Sequence, residues 1–584
     1  MTHSVLVAAD GSGARLELAG KTVAILCPIV HCDGVIPPLT ARKHDGHVTL
    51  TGEGLRADLA LRNMDLVVTI EGETACEGPV LRALGGLEQG VFAGIEYLGK
   101  GERSSSKLDI ETAEHVRFAP DRLDVTMPLM ACRTDRCTAA MVWEDMSLQP
   151  VYAVPNFFDG TPDHRMALRG KHIEATLRIA PSAPITETLL WAVQQRGGLP
   201  DPPEPPRTPE QQWALCLEAL DGPVKCEGGW RHCRGDRWPC QPYGAFASTL
   251  WRLTGEAPGL EKLSGGGSHV RNDAIWFLQG RVAEWLAMRR GQAQGAMKGQ
   301  RPDGSWRYKG KYQRGHFEDT ASGHCARRAY VLLDYAWHTG DQAAVAAGVK
   351  ALEYMKRFRT PRGAQVWEVP LHTPDILASG YLVWAYTRGY ELTGRDDFLA
   401  EARRWALSGL PFVYQWTCQP VMLYATTPVF GATNWRAPNW IGLPVQWCGG
   451  VYAYALGLLA PYEKTLDWAT LARGILISAE QQQYPDGPSV GCLPDSFDLA
   501  AQRRRPWDIN PCALVSLRLL LDGQVDSLAV AANDEHRVAA PFPVRLEGGK
   551  AHIQGKPGLT YQILIDGDRI VDVESTGRDV VPVE

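Results

Sequence analysis

The sequence lacks several features that would assign it to a common class of protein. It has no run of about 18 apolar residues, the length that a membrane-spanning helix needs, so no membrane span is expected. No GxSxG, HExxH, Walker or GxGxxG motif is present, which removes support for serine hydrolases, zinc proteases and nucleotide-binding enzymes. No cofactor is therefore expected. The net charge of −6 gives no support for nucleic acid or an anionic membrane as a partner.

The 14 cysteines are scattered, and none forms a CxxC pair. Cys226, Cys233 and Cys240 lie seven residues apart beside His232, whereas zinc sites usually show tighter spacing. We therefore expect no metal site, and free buried thiols in a reducing compartment. Residues 1–20 lack a basic segment followed by an apolar one, so a cytoplasmic location is expected, with a trimmed exported form left open.

A chain of 584 residues is too long for one hydrophobic core, so two to four domains are expected. Residues 1–198 contain many short alternating runs separated by Gly, Asp and Asn, which favours a β-sandwich. Six of the eleven residues in 199–209 are proline, which predicts a stiff linker. Strand patterning returns in 524–584 and predicts a small structural β module.

Between these parts, residues 210–523 carry apolar residues at helical spacing. Two of the helical segments end alike, in Thr-Gly-Asp at Gly340 and in Thr-Gly-Arg-Asp at Gly394. Glycine typically ends a helix, and aspartate typically begins the next one. The pattern predicts repeated hairpins, with ten to twelve helices in all.

The helical part holds 17 of the 19 tryptophans. Those inside predicted helices are expected to pack in the core: Trp276, Trp285, Trp337, Trp384 and Trp405. Others fall in Gly- and Pro-rich connections: Trp230, Trp238, Trp306, Trp416, Trp435, Trp440 and Trp507. Exposed indoles need a cover, and the apolar face of a sugar ring is one. The sequence therefore predicts a carbohydrate as partner, while its oligomeric state is not predicted.

The repeated Thr-Gly hairpin connections and the domain order resemble the six-hairpin glycosidase superfamily. The segment GGLEQGVFAGIEYLGKGE at 85–102 also resembles the supersandwich that precedes such rings. The resemblance implies a multidomain α+β fold: an N-terminal β-(super)sandwich, a central (α/α)5–6 toroid and a small C-terminal β module. PDGSWRY at 302–308 resembles a motif of terpenoid cyclases, but the acidic DxDD and DDxxD signatures are absent.

Two stretches supply the candidate catalytic residues. The connection 302–324 precedes a helix expected to begin near Thr320, and 367–381 precedes a helix with Thr373 as N-cap. In a toroid, the inward helices begin at the cleft. The catalytic candidates are His316, Glu318, Asp319, His372 and Asp375. Glu368 is a further candidate, and both Asp319 and Asp375 have an alternative interpretation as helix-capping residues.

Candidate substrate-binding residues come from the first stretch and from a third one, 424–447, where amides, arginine and indoles share a loop. They are Trp306, Arg307, Tyr308, Asn434, Trp435, Arg436, Asn439 and Trp440. A fourth stretch, 484–498, contains Asp486, Asp495 and Asp498. Turn aspartates are usually structural, and among these three Asp495 is kept as a catalytic candidate.

Three hypotheses for function stay open at this point. The first is a glycoside hydrolase that uses two carboxylates from Glu318, Asp319, Glu368, Asp375 and Asp495. The second is a lyase or epimerase that acts on a uronic acid. The carboxylate of the substrate would be neutralised by Arg307, Asn434 or Arg436. The base of the enzyme would be His316, His372, Tyr308 or Tyr424. The third is a glycan-binding scaffold without catalysis.

Overall fold

The computed structural model describes residues 3–7, 13–32, 34–100, 102, 121–153, 164–310, 319–430 and 443–584. The fold is mixed α+β, with a large antiparallel sheet first, helices in the middle and small sheets at the end. No helix in these ranges is long and apolar enough to cross a bilayer.

The N-terminal part is one hydrogen-bonded sheet of fourteen strands whose pairings are antiparallel. The first seven strands are β1 His3–Val7, β2 Ala14–Leu18, β3 Lys21–Cys27, β4 Val30–His31, β5 Thr40–His44, β6 His47–Gly52 and β7 Leu55–Arg62. The other seven are β8 Asp65–Ala83, β9 Leu87–Phe92, β10 Glu96–Leu98, β11 Leu129–Thr134, β12 Thr138–Trp143, β13 Gln149–Ala153 and β14 His164–Ala180. The long strands β8 and β14 pair with each other and join both halves of the sheet.

Alternation along the strands decides which face is buried. In β7, Leu55, Ala57 and Leu59 point into the core of the sheet, while the residues between them are more accessible. In β9 and β11, Val91 and Ala131 point the other way and join the core of the helical part. The sheet therefore has a second buried face, against the helices.

A helix that the sequence did not predict follows the sheet. Strand pattern was expected throughout the N-terminal part, residues 1–198, but Ile185–Gln195 forms helix α1. Its side chains Ile185, Leu189 and Val193 are buried, and the helix packs against β9, β11 and β12. A buried amphipathic stripe explains why a helix forms here.

The helical part begins directly after the proline-rich segment. Helix α2 starts at Pro209, with Thr208 and Gln211 forming a reciprocal capping box. The helices are α2 Pro209–Asp221, α3 Gly244–Thr254, α4 Ala274–Leu278, α5 Val282–Gly299, α6 Ser322–Thr339, α7 Gln342–Met355, α8 Ile376–Thr393, α9 Asp396–Gly409, α10 Gln446–Leu459, α11 Trp468–Gln482 and α12 Cys512–Leu521. These eleven helices in the described part agree with the ten to twelve predicted.

Contacts between the helices follow a closed succession. Helix α6 packs on α8, α8 on α10, α10 on α12 and α12 on α3, and α4 and α5 lead from α3 back to α6. Helices α7, α9 and α11 each pack between two members of that succession. The glycine signals are confirmed, because Gly340 and Gly394 take left-handed backbone conformations at the ends of α6 and α8.

A β-hairpin interrupts the helical part between α11 and α12. Its strands are β17 Leu493–Asp498 and β18 Arg503–Ile509, and β17 packs on α10 and α11. A second pair of very short strands, β15 Lys225–Cys226 and β16 Gly229–Trp230, lies between α2 and α3.

The C-terminal module consists of a four-stranded and a three-stranded sheet. Its strands are β19 Ala529–Ala532, β20 Arg537–Ala540, β21 Val544–Glu547, β22 Lys550–Ile553, β23 Thr560–Ile565, β24 Arg569–Glu574 and β25 Asp579–Pro582. Its core includes Trp251 of α3 and Ala274 of α4, so the module is packed against the helices.

The cysteines differ from the prediction at one place. Cys226 and Cys240 form a disulfide, with their Cα atoms 6.2 Å apart, so the expectation that all the thiols are free is wrong for these two. Cys233 between them is buried as a thiol. Disulfides persist mainly in oxidising compartments, and this pair therefore disagrees with the expectation of a reducing compartment.

Candidate active site

Two side chains that are 48 residues apart in the sequence meet at the start of α10. The indole N–H of Trp447, in the first turn of this helix, donates a hydrogen bond of 3.2 Å to Oδ1 of Asp495. Asp495 lies on β17, which packs against α10 and thereby brings the carboxylate to the indole. Within the helical part, this contact defines the centre of the candidate site.

The carboxyl group of Asp495 has a shifted proton affinity. Burial raises its pKa to about 6, the hydrogen bond from Trp447 opposes the shift, and the negative charge of Glu368 adds to it. Glu368 is half-buried and accepts a hydrogen bond of 2.8 Å from Gln365 Nε2. The site thus holds two carboxyl groups that interact electrostatically, one of which stays protonated to unusually high pH.

An aromatic wall, made of Trp447, His269 and Trp367, lies next to this pair. The ring of His269 stacks on Trp447 at 4.1 Å, and Trp367 stacks on the same indole at 6.1 Å. His232 contacts His269 edge-on at 4.9 Å. Burial lowers the pKa of His269 well below its usual value, and the positive charge of Arg327 adds to this. His269 is therefore a neutral, flat surface beside the carboxyl groups.

Two arginine side chains lie near the aromatic wall. The guanidinium of Arg327, on α6, lies 5.6 Å from the ring centre of Trp367 and 5.8 Å from that of Tyr381. Arg271 lies over Tyr330 at 4.9 Å and forms an ion pair of 3.3 Å with Asp334. Arg327 and Arg271 both line a cavity of about 650 Å³.

The order of these residues along the chain shows how the fold assembles the site. Trp447 and Arg327 lie in the first two turns of α10 and α6, and Trp367 and Glu368 lie in the segment just before α8. His269 lies in the connection before α4. These elements belong to the closed succession of packed helices, so residues far apart in sequence meet at the ends of those helices.

Asp319, predicted as catalytic, forms an ionic cluster beside the cavity. Its carboxylate accepts hydrogen bonds of 2.8 and 2.5 Å from Arg301 and also pairs with Arg307 Nε at 3.1 Å. It does not cap α6, since that helix begins at Ser322 and its N-cap, Ala321, makes no side-chain capping bond. Arg307, predicted to bind substrate, lines the same cavity as Arg327 and Arg271.

Asp375, also predicted as catalytic, is fully buried as the N-cap of α8. Its two carboxylate oxygens accept hydrogen bonds from the backbone amides of Ala378, at 2.7 Å, and Ala364, at 3.0 Å. The expected N-cap was Thr373, so that detail was wrong by two residues. Burial raises the pKa of Asp375 to about 7 in spite of these hydrogen bonds.

The structure does not bring His372 to the Asp495 site. It is buried and lines a different cavity, of about 540 Å³, between the N-terminal sheet and the helices. Arg133 from β11 and Arg359 from the segment after α7 line the same cavity.

Two of the predicted substrate-binding residues are largely buried. Trp306 is 3% exposed and donates its indole N–H to the carbonyl of Ala296 at 2.8 Å. Tyr308 is 5% exposed, yet it lines the basic cavity and contacts the His324 ring edge-on at 5.5 Å. The stacking role expected of Trp306 does not fit its burial.

The remaining predicted residues lie outside the described part of the chain: His316, Glu318, Asn434, Trp435, Arg436, Asn439 and Trp440. Of the loop tryptophans, Trp230, Trp306 and Trp416 are buried in the core, so their assignment to an open cleft was wrong. The helix-borne Trp276, Trp285, Trp384 and Trp405 are buried as predicted, whereas Trp337 is half-buried.

The sequence analysis did not identify Trp447, which bonds Asp495, or His269, which stacks on Trp447. Trp447 was placed at the end of a loop and given no role, and His269 was not considered. The helical pattern of the sequence could have identified Trp447, because it places this tryptophan in the first turn of α10. Within the described ranges, no group of three or more His, Cys, Asp or Glu side chains is placed to hold a metal ion.

No family model and no curated protein sequence matches the chain. Solved structures that the chain matches in part include an unsaturated glucuronyl hydrolase specific for heparin, 13% identical, covering 53% of this chain and 94% of its own, with a TM-score of 0.36. The Streptococcus agalactiae unsaturated glucuronyl hydrolase is 9% identical, covering 55% of this chain and 93% of its own, with a TM-score of 0.34. A polysaccharide lyase is 10% identical, covering 89% and 99%, with a TM-score of 0.31.

Proposed function

We propose that the protein is a glycoside hydrolase, built as an α/α toroid between β domains, that cleaves the glycosidic bond of an oligosaccharide or glycoside. The observation that carries the proposal is the buried carboxyl group of Asp495, which accepts a hydrogen bond from Trp447 beside stacked indoles and whose pKa is raised by burial and by the charge of Glu368. Glycosidic cleavage needs two carboxyl groups in different protonation states.

In this proposal Asp495 is the general acid. Its pKa of about 6 keeps about half or more of the group protonated at pH 6 and below, so it can protonate the leaving oxygen at mildly acidic pH. Glu368 is the second carboxylate, which either activates water or attacks the anomeric carbon. Gln365 fixes its orientation by the 2.8 Å hydrogen bond. This chemistry requires no cofactor.

The aromatic side chains supply the binding surface. Trp367 is 41% exposed and stacks on Trp447, so part of its indole is accessible near the acid. The apolar C–H face of a sugar ring stacks on such a surface, which orients the glycosidic oxygen toward Asp495.

A uronate lyase is the second candidate, because Arg327 and Tyr381 lie at the same aromatic wall. Such an enzyme needs a cation on the sugar carboxylate and a base for the C5 proton. Burial raises the pKa of Tyr381 to about 12, which keeps it protonated, and it makes His269 a weak base. Hydrolysis is therefore the better-supported reaction.

The test is turnover of a panel of neutral and uronate oligosaccharides, with reducing ends and near-ultraviolet absorbance followed together. We expect reducing ends without absorbance, and a loss of about 100-fold or more in Asp495→Asn and Glu368→Gln. Asp498→Asn is the matched control, because Asp498 lies on the same strand but pairs with Arg505 at 2.5 Å.

Circular dichroism and the melting temperature show that each variant is folded. A folded Asp495→Asn enzyme that keeps its activity would contradict the assignment of the acid. Absorbance that rises with the reducing ends would show β-elimination and favour the lyase.

A further inference from the structure

We propose that the cavity beside the aromatic wall binds an anionic group of the saccharide, either a uronate carboxylate or a sulfate ester. The identity of the ligand as a saccharide rests on the proposed function, whereas the affinity for an anion rests on the cavity alone. The cavity is named here the basic cavity and has a volume of about 650 Å³.

Positive side chains dominate the lining of the basic cavity. Five cations contribute to it, from α6 and from the connections before α4 and α6: Arg271, Arg307, Lys309, Arg327 and Arg328. No aspartate or glutamate is among the described residues that line it. Two of the five are neutralised from behind, Arg271 by Asp334 at 3.3 Å and Arg307 by Asp319 at 3.1 Å.

The other three cations have no such partner. In the described ranges of the chain, no carboxylate lies within 4.0 Å of a side-chain nitrogen of Arg327, Arg328 or Lys309. Arg328 instead donates a hydrogen bond of 2.9 Å to the backbone carbonyl of His324, and Arg327 lies over the rings of Trp367 and Tyr381. Excess positive charge therefore faces the cavity.

The neighbouring groups respond to this charge. The pKa of His324, which also lines the cavity, is lowered to about 3 by burial and then by Arg328 and Arg327. Burial lowers the pKa of Arg328, and the charge of Arg327 adds to this. A bound anion would offset this mutual repulsion in a partly desolvated place, where charge pairs are stronger than in bulk water.

The arginines are also held in position before any ligand arrives. Arg327 lies against Trp367 and Tyr381, and Arg328 is anchored to the turn of α6 that precedes it. A planar guanidinium held in this way offers paired N–H donors to a carboxylate or a sulfate.

A chain of side-chain contacts links the basic cavity to the candidate catalytic groups. Arg327 contacts Trp367, Trp367 stacks on Trp447 at 6.1 Å, and Trp447 donates to Asp495 at 3.2 Å. Through Trp367, an anionic group bound beside Arg327 would therefore belong to a saccharide that also contacts the aromatic wall.

The experiment is calorimetric titration of the Asp495→Asn protein with three probes of matched length: alginate oligosaccharides, carrageenan oligosaccharides and neutral manno-oligosaccharides. The first carries carboxylates only, the second sulfate esters only. We expect one anionic class to bind at least about tenfold more tightly than the neutral probe, with an affinity that falls as salt increases.

Arg327→Gln and Arg328→Gln should each remove most of that preference and leave the affinity for the neutral probe within about twofold. Arg473→Gln is the matched control. Arg473 lies on α11 and pairs with Asp522, which follows α12. A preference for alginate identifies a carboxylate, and one for carrageenan identifies a sulfate ester.

Equal affinity for anionic and neutral probes, no binding of either anionic class, or a preference that survives both substitutions would overturn the inference. The proposed hydrolysis is judged separately, by the turnover of the Asp495→Asn enzyme. Binding that depends on Arg327 together with undiminished turnover in that variant would leave the anion site standing and remove the proposed reaction.

Discussion

The indole N–H of Trp447 donates to Oδ1 of Asp495 across 3.2 Å and joins helix α10 to strand β17. One hydrogen bond thus acts on two properties of the acid. It fixes the position of the carboxyl group, and it favours the ionised form, so that the pKa of Asp495 stays near 6 and does not rise further with burial.

The first prediction concerns the pH dependence of kcat/KM. A general acid with a pKa of about 6 must be protonated, so kcat/KM should fall as the pH rises through about 6. Trp447→Phe removes the donor that stabilises the carboxylate, which raises the pKa of Asp495 and moves this alkaline limb to higher pH. Trp367→Phe keeps a stacking ring and serves as the control, with an unchanged limb. A limb that stays in place or moves to lower pH in Trp447→Phe would contradict the assignment.

The second prediction separates capping from catalysis at Asp375. Asp375→Ala removes the side-chain acceptor at the start of α8 and should lower the free energy of unfolding by about 1–2 kcal/mol. Asp375→Asn keeps a capping oxygen and should stay folded and active within a few-fold. Denaturant unfolding and turnover measure the two quantities. A folded Asp375→Asn protein without activity would return Asp375 to the catalytic residues.

The third prediction uses the pKa of Asp375, which is about 7 in the folded protein and close to 4 in an unfolded chain. Between these values the folded state binds more protons than the unfolded state, so the free energy of unfolding falls as the pH rises from about 4 to about 7. Asp375→Asn does not titrate. The wild-type protein should therefore lose stability relative to this variant over that interval, as measured by denaturant unfolding at several pH values. A constant difference would show that Asp375 does not titrate there.

The sequence predicted the helices because their signals are local. Gly340 and Gly394 end α6 and α8 where expected, and Asp341 caps α7. The candidate site depends on contacts that no local pattern contains. Asp495 was considered as one of several turn aspartates, and only the packing of β17 on α10 places it at an indole.

The capping and catalytic interpretations of Asp375 could not be separated by residue type, because a carboxylate before a helix satisfies both. Its burial and its capping hydrogen bonds favour the capping interpretation, and burial depends on the whole fold. The prediction that the loop tryptophans are exposed failed for a related reason. The loops that carry Trp230 and Trp416 fold back into the core, where each indole finds a backbone carbonyl at 3.0 and 2.7 Å.

The fourth prediction concerns the contact between the N-terminal sheet and the helices. Arg362 donates two hydrogen bonds of 2.5 Å to Glu102, and both side chains are buried. Arg362→Met leaves the carboxylate buried without this partner and should lower the free energy of unfolding by about 3–5 kcal/mol. The double variant Arg362→Met, Glu102→Met should recover part of that loss. Equal stability of the single variant and the wild type would show that the pair is not formed.

The fifth prediction tests the disulfide between Cys226 and Cys240. The loop that it closes carries His232, which contacts His269, and His269 stacks on Trp447. Cys226→Ser should lower the free energy of unfolding by about 3 kcal/mol, because the unfolded chain regains the freedom of a loop of this length.

Cys226→Ser should also raise KM, because the loosened loop no longer holds His232 against the aromatic wall. Cys418→Ser, at an exposed free thiol, is the control and should change neither KM nor the free energy of unfolding. Treatment of the wild-type protein with a reductant should reproduce the effect of Cys226→Ser. Mass spectrometry that finds both thiols free in protein purified without reductant would contradict the disulfide and restore the expectation of a reducing compartment.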